Sequence, residues 1–222
     1  MIIATDSLIF FISITPILDT DHPPSPLSKT PIISGERAGV RSTENYFVIL
    51  VIVMTDPTYY NSPVGVLQIK NSGNAITELS FIDKENKPMT GKPGIIPGQP
   101  LSPVLKKAVQ QLDDYFSGKR FQFDLNLAQE GTAFQQQVWA ELVKIRYGRT
   151  TSYLALSKSI GNEKAIRAVG TANGRNNIAI IVPCHRVIGS NGSLVGYGGG
   201  LWRKHWLLEH EAKYANGVQT LF

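Results

Sequence analysis

The chain has 222 residues, 42% of them hydrophobic, enough for one large domain or two small ones with a sizeable core. Its net charge of +5 is unevenly placed: residues 130–222 hold 11 Lys and Arg against 5 Asp and Glu, residues 55–129 hold 8 against 7, and residues 1–54 hold 3 against 5. A basic part of this kind suits a polyanionic partner or an ordinary soluble surface. No run reaches the ~18 apolar residues of a membrane span, and the single cysteine excludes an intramolecular disulfide or a multi-thiolate metal site within the chain.

In chain order, the apolar runs 8–18 and 46–54 are short, and no Lys or Arg precedes the first as a secretory signal requires. With no paired cysteines, a cytoplasmic, reducing location is expected. Residues 19–45 are rich in Pro, Ser, Thr and charge without any period, which predicts a linker-like or disordered segment. From Met54 the pattern changes. Runs 63–70 and 75–82 are β-rich and flank Asn71-Ser72-Gly73-Asn74, a hairpin signal. A Pro/Gly-rich loop over 87–100 follows. Ser102-Pro103 reads as N-cap and first helical residue, and Gly118 as the stop. Leu105, Val109, Leu112 and Phe116 recur between them at helical spacing.

Thr132-Ala133-Phe134-Gln135 has capping-box form and opens a helix through Trp139 and Leu142 towards Ile145, closed by Gly148. Two short helices come next, over 152–160 and 163–173, with Gly161-Asn162 as the turn and Asn162 able to cap the second. At 100° per residue Lys164, Arg167, Ala168 and Thr171 share one face of the second helix, while Ala165, Val169 and Ala172 lie opposite, towards the core. The outward face is small and basic, with Arg167 its one long side chain. A groove-binding helix and an ordinary solvated face both fit it.

Residues 178–182 then form an apolar run that leads Cys184 and His185 into a packed interior. A lone cysteine is an inert buried thiol, an intermolecular partner or a nucleophile. The adjoining imidazole favours the nucleophile, because a thiol reacts as thiolate.

Several segments occur together in order. They are Phe134-Gln135-Gln136-Gln137-Val138-Trp139, Ser152-Tyr153, Ala165-Ile166-Arg167-Ala168-Val169-Gly170, Asn176 and Pro183-Cys184-His185-Arg186-Val187. Gly196-Tyr197-Gly198-Gly199-Gly200-Leu201, Trp206-Leu207-Leu208 and Glu211 follow. This set resembles the O6-alkylguanine-DNA alkyltransferases, the methylated-DNA–protein-cysteine methyltransferases. The resemblance is dense over 130–212, looser over 56–129 and absent from 1–53.

It implies an α/β (α+β) fold: a small N-terminal sheet-plus-helix domain over 54–129, then a mainly helical helix-turn-helix domain over 130–222 that binds DNA and carries the cysteine. The implied reaction is stoichiometric transfer of an alkyl group from O6 of guanine, and from O4 of thymine, in double-stranded DNA to Cys184 after base flipping. His185 would generate the thiolate through a bridging water. Glu211 would orient His185, Tyr153 would donate to the purine, and Asn176 would brace the site. Arg167, with Lys164, Ala168 and Thr171, would meet the minor groove. Pro183, Val187, Tyr197 and Gly198 would shape the alkyl pocket.

A thioether product gives water no leaving group and no residue suggests an activating metal, so the protein is expected to act once; the damaged base is itself the alkyl donor, so no cofactor is expected, and a monomer is expected. The structural zinc of some relatives needs further cysteines, and none is present. Asn177 stands where many relatives have proline, which is expected to loosen the loop without removing a reactive group. Two competing readings are a lesion-binding module that transfers nothing and a Cys-His hydrolase. The presence of Cys184 argues against the first, and the helix-turn-helix has no purpose in the second. Residues 1–53 match nothing in the family, and the simplest expectation is that Met54 is the true start. A chain beginning at Met54 should then keep full stability and activity. A native N-terminal peptide from upstream would refute this.

Overall fold

Strand alternation builds the first part of the fold. The computed structural model describes residues 57–82, 93–96 and 100–215; the expectations for 1–53, including the 19–45 stretch, lie outside the described residues. Strands β1 (Thr58–Ser62), β2 (Gly65–Ser72) and β3 (Ala75–Phe81) pair antiparallel. The expected hairpin is β2–β3, turning at Gly73-Asn74 with Gly73 at φ 53°. Leu67 and Ile69 alternate inward on β2. On β3 the buried residues Ile76 and Leu79 are three apart. The register explains this: Asn71 faces Ile76 but Lys70 faces Glu78, so Thr77 is an extra residue in a bulge. The bulge resets the alternation and turns both side chains inward.

Part of the expected 87–100 loop is a strand instead. Gly94–Ile95 forms β4 and pairs with the free edge of β1, giving the sheet order β3-β2-β1-β4. An edge strand offers unpaired N–H and C=O groups, and pairing satisfies them. Helix α1 (Pro103–Phe116) packs on the sheet with the expected stripe Leu105, Val109, Leu112 and Phe116 buried. Ser102 caps it, and Gly118 follows with φ 71°.

The second part is helical. Helix α2 (Ala133–Val143) opens with the expected Thr132/Gln135 capping box, of a kind that contributes about 1 kcal/mol. Its Trp139 is buried and donates from Nε1 to the Ala172 carbonyl at 2.9 Å. Helix α3 (Tyr153–Ser159) is capped by Ser152, turns at Gly161 with φ 76°, and leads through a 3-10 turn (Glu163–Ala165) into α4 (Ile166–Gly174). Asn162 does not cap with its side chain. Its carbonyl instead accepts from Ala165 N at 3.0 Å, because the chain enters α4 as a tighter 3-10 turn. Short strands β5 (Thr151–Ser152) and β6 (Val187–Ile188) pair in parallel, and α5 (Leu201–Ala215) ends the described chain. Among the described residues no helix is long and apolar enough to cross a membrane.

The two parts meet along β3. Its outer edge accepts the connecting chain at Ile76, where Ile76 N donates to Asn126 O and Ala128 N to Ile76 O. The segment ahead of the cysteine bonds at Leu79, where Leu79 N donates to Asn177 O and Ala179 N to Leu79 O, both at 2.8 Å. The loop holding Asn177 is therefore tied to the sheet through its carbonyl, an anchor that does not use the N–H a proline would lack.

Candidate active site

The chain between α4 and β6 makes two very tight turns. Ile181 N donates to Ala179 O at 2.7 Å across Ile180, which holds φ 69°. Such a turn is unfavourable for a β-branched residue by about 1–3 kcal/mol, and the fully buried Ile180 side chain and the bridge at Leu79 hold it there. Cys184 N then donates to Val182 O at 2.8 Å across Pro183. The two turns bring Cys184, 6% exposed, to the wall of a cavity of about 180 Å³. That is well above the roughly 30 Å³ of one water molecule, so the cavity is sized for a small organic group.

Strand β3 lines the cavity with Leu79, Ser80 and Phe81, the end of α4 with Asn173, and the loop before α5 with Gly196–Gly199. A Cβ on Gly199 would lie 2.7 Å from the Phe81 ring, so a side chain there would have to displace the rings that line the cavity. Tyr197 and Gly198 line the cavity as expected. Pro183 and Val187 are buried but do not line it, because Pro183 is used in the second turn and Val187 in β6. Tyr153 is half-buried beside it, its hydroxyl 3.4 Å from the Val195 carbonyl.

Asn176 gathers the turns. Its Nδ2 donates to Val182 O at 2.8 Å and to the Cys184 Sγ at 3.1 Å, while its Oδ1 accepts from Ile178 N at 3.0 Å and Gln129 Nε2 at 3.1 Å. Burial pushes the Cys184 thiol up, and the Asn176 amide and the Lys204 ammonium pull against it. The resting group is a thiol and needs a base.

His185 and Glu211 are fully buried and joined, Nε2 to Oε1 at 2.8 Å. Burial alone would raise the Glu211 carboxyl, but His185 and Arg186 outweigh it and hold it well below the usual carboxylate range. An ionised carboxylate only accepts, so the neutral imidazole carries its hydrogen on Nε2. Nδ1 is then the free lone pair, and no hydrogen-bond partner among the described residues meets it. Burial lowers the His185 pKa against the pull of Glu211, which keeps that lone pair open at neutral pH.

Sequence reasoning missed most of the support. Arg186 donates Nε and Nη2 to the two Glu211 oxygens at 2.8 and 2.9 Å and Nη1 to Ile145 O at 2.6 Å. Tyr115 OH and Gly148 N also donate to Glu211, at 2.9 and 3.1 Å. Lys204 is buried and donates to Val187 O and Val195 O, both at 2.7 Å, and burial pushes its ammonium down to about 8. The one available signal was a charge inside an apolar run, at Arg186. Lys164, in the 3-10 turn, and Arg167, Ala168 and Thr171, on α4, are all exposed; Val169 and Ala172 are buried as the helical spacing predicts, while Ala165, expected to face the core, is half-buried in the 3-10 turn.

An exposed, small-and-basic helix-turn-helix and a cavity-lining thiol thus sit on one scaffold, defining a helix-turn-helix protein built around a buried cysteine. Residues 57–129 match the family described as 6-O-methylguanine DNA methyltransferase, ribonuclease-like domain, and residues 133–213 match the corresponding DNA binding domain. The chain is 46% identical over 166 residues to a methylated-DNA–protein-cysteine methyltransferase of Mycobacterium bovis, covering 73% of this chain and 95% of that protein. It is 44% identical over 142 residues to the constitutive methylated-DNA–protein-cysteine methyltransferase of Bacillus subtilis, covering 64% of this chain and 86% of that protein. Among solved structures, Mycobacterium tuberculosis OGT in complex with DNA aligns with a TM-score of 0.60 and 43% identity, covering 70% of this chain and 93% of that one. The chain belongs to the methylated-DNA–protein-cysteine methyltransferase family, and its sheet-then-helix architecture is the one expected from the sequence.

Proposed function

We propose that the protein repairs alkylated DNA by moving the alkyl group from O6 of guanine, and from O4 of thymine, onto Cys184, once per molecule. The observation that carries this reading is Cys184 at the wall of a cavity, next to a buried His185–Glu211 pair whose free Nδ1 is ready to take a proton. The damaged nucleotide leaves the duplex stack and enters the cavity. The Cys184 proton passes to His185 Nδ1, through a bridging water, and Glu211 stabilises the imidazolium. The thiolate attacks the alkyl carbon. The C–S bond forms as the C–O6 bond breaks, and the electron pair stays on the purine, which Tyr153 stabilises by donating a hydrogen bond. The base itself is the alkyl donor, so the step uses no cofactor.

Residues 130–222 serve as the DNA-binding and transfer domain and 54–129 as the supporting domain. Arg167 braces the gap left by the flipped nucleotide while Lys164, Ala168 and Thr171 lie against the groove. The protein works as a cytoplasmic monomer. Arg167→Ala should slow transfer from duplex DNA by about tenfold and transfer from free O6-methylguanine by less than about twofold, because only the duplex requires extrusion. Rate measurements on both substrates check this; equal slowing of the two would assign Arg167 to the chemical step or to stability.

A further inference from the structure

Two stretches of chain dock in succession on one edge of β3. The connecting chain is held at Ile76, through Asn126 O and Ala128 N, and the segment ahead of the cysteine is held at Leu79, through Asn177 O and Ala179 N. Both run parallel to β3. The first stretch therefore ends where the second begins, which sets Gln129 against Asn176 although they are 47 residues apart in the chain. Gln129 is 9% exposed. Its carbonyl accepts from Gln136 Nε2, near the start of α2. Its own Nε2 donates to Asn176 Oδ1 at 3.1 Å, and its Oε1 is buried with no hydrogen-bond partner among the described residues.

Backbone groups decide which way these two amides point. Ile178 N can only donate, so Asn176 Oδ1 faces it; Val182 O and Ile178 O can only accept, so Asn176 Nδ2 faces them. Gln129 then has to offer its NH2 end to Oδ1. A donor on the oxygen of an amide polarises it and strengthens the bonds that its N–H groups give. One of those N–H groups points at the Cys184 sulfur, at 3.1 Å. We infer that Gln129 is a positioning residue for the transfer: by donating to Asn176 Oδ1 it locks and polarises the amide that donates to the Cys184 sulfur, and so favours the thiolate. This rests on the alkyl-transfer reading above. Other groups face the thiol from the elements around it: Tyr153 from α3, Tyr197 from the loop before α5, Lys204 from α5 and the adjoining His185. Against burial, the Asn176 hydrogen bond is the largest influence that lowers the Cys184 pKa, ahead of the Lys204 charge.

Cys184 is the only cysteine in the chain, so its rate of alkylation by iodoacetamide across pH, read from the mass of its peptide, reports the ionisation of this thiol. Gln129→Met keeps the length of the side chain and removes the donor. It should fold as the intact protein does, because an unpaired buried oxygen goes together with the hydrogen bond. The pH of half-maximal alkylation should rise by about half a unit. Methyl transfer at neutral pH should slow about threefold, from duplex DNA and from free O6-methylguanine alike. Gln129→Glu, which sets an acceptor against Oδ1, should raise the half-maximal pH at least as far. In an Asn176→Ala background, Gln129→Met should move it no further. An unshifted half-maximal pH in Gln129→Met, or the same shift with and without Asn176, would overturn the assignment. A lack of any methyl transfer to the intact protein would instead overturn the repair reading, since iodoacetamide reads the thiol without DNA.

Discussion

Cys184→Ala should abolish alkyl transfer while leaving affinity for undamaged duplex within about twofold, since the thiol carries no charge to the phosphates that dominate such binding. The two sites are separable in the structure. Cys184 is 6% exposed and bonded through its own backbone and side chain to Asn173, Asn176 and Val182, whereas the basic face of α4 is exposed. Removing one buried sulfur makes a small void, so the fold should survive with a loss on the order of 1 kcal/mol. Cys184→Ser should be nearly inactive as well, because His185 would have to make an alkoxide in place of a thiolate. Transfer rates with a methylated duplex, and affinity for the unmethylated one, check both statements. Methyl transfer to another residue of the alanine variant would remove Cys184 from the mechanism.

Glu211→Gln should produce the largest loss of stability of any single change at the site, and a large loss of rate. In the folded protein the Glu211 carboxylate neutralises the buried Arg186, and breaking one half of a buried pair costs about 3–5 kcal/mol. A drop in Tm of roughly 10 °C would follow for a protein of this size. The rate should fall about a hundredfold, the range of a lost acid–base contribution. The sign of the pH effect follows from the pair. Glu211 pulls the His185 pKa up against burial, so its loss lowers that pKa further and moves the acid limb of the transfer rate to lower pH. The double change Glu211→Gln with Arg186→Met removes both buried charges and should recover much of the stability without recovering the rate. An unchanged pH–rate profile in the single variant would take Glu211 out of the relay.

The wild-type stability should itself fall in acid. Glu211 has a folded pKa below its ordinary 4.5, and His185 one below its ordinary 6.5. For both groups the unfolded chain binds more protons at low pH. Their stabilisation is complete above about pH 6.5 and is lost as the pH falls, first through the histidine and then through the glutamate.

What was legible in the sequence follows from physics that acts locally. Caps at Ser102 and Thr132 and the stripe along α1 use neighbouring residues, and they appear where the sequence predicts them. The same holds for the outward face of α4. The buried face of α5 did not announce itself, because Arg203, Lys204, Leu207, His210 and Glu211 occupy it, and four of those five are polar. Hydrophobic periodicity is blind to a core face of this kind, whose polar groups are satisfied by partners such as Val64 O, Val187 O, Tyr115 O and His185.

Long-range pairing was equally hidden. β4 on β1, β5 on β6, and the bridge from Leu79 to Ile178 join segments far apart in the chain, and nothing in the local pattern selects the partner. The candidate site divides the same way. Cys184, His185 and Asn176 were visible as a motif, whereas Tyr115, Gln129 and Asn173 come to the site only through the fold.

The central claim is that Cys184 is the acceptor and is consumed. The direct measurement is intact-protein mass after incubation with an excess of duplex containing O6-methylguanine, followed by peptide mapping. The account predicts a gain of one CH2 per chain, located on the peptide that holds Cys184, with demethylated DNA never exceeding one equivalent of protein. An unchanged mass, a methyl group on any other residue, or repair continuing beyond one equivalent would contradict it.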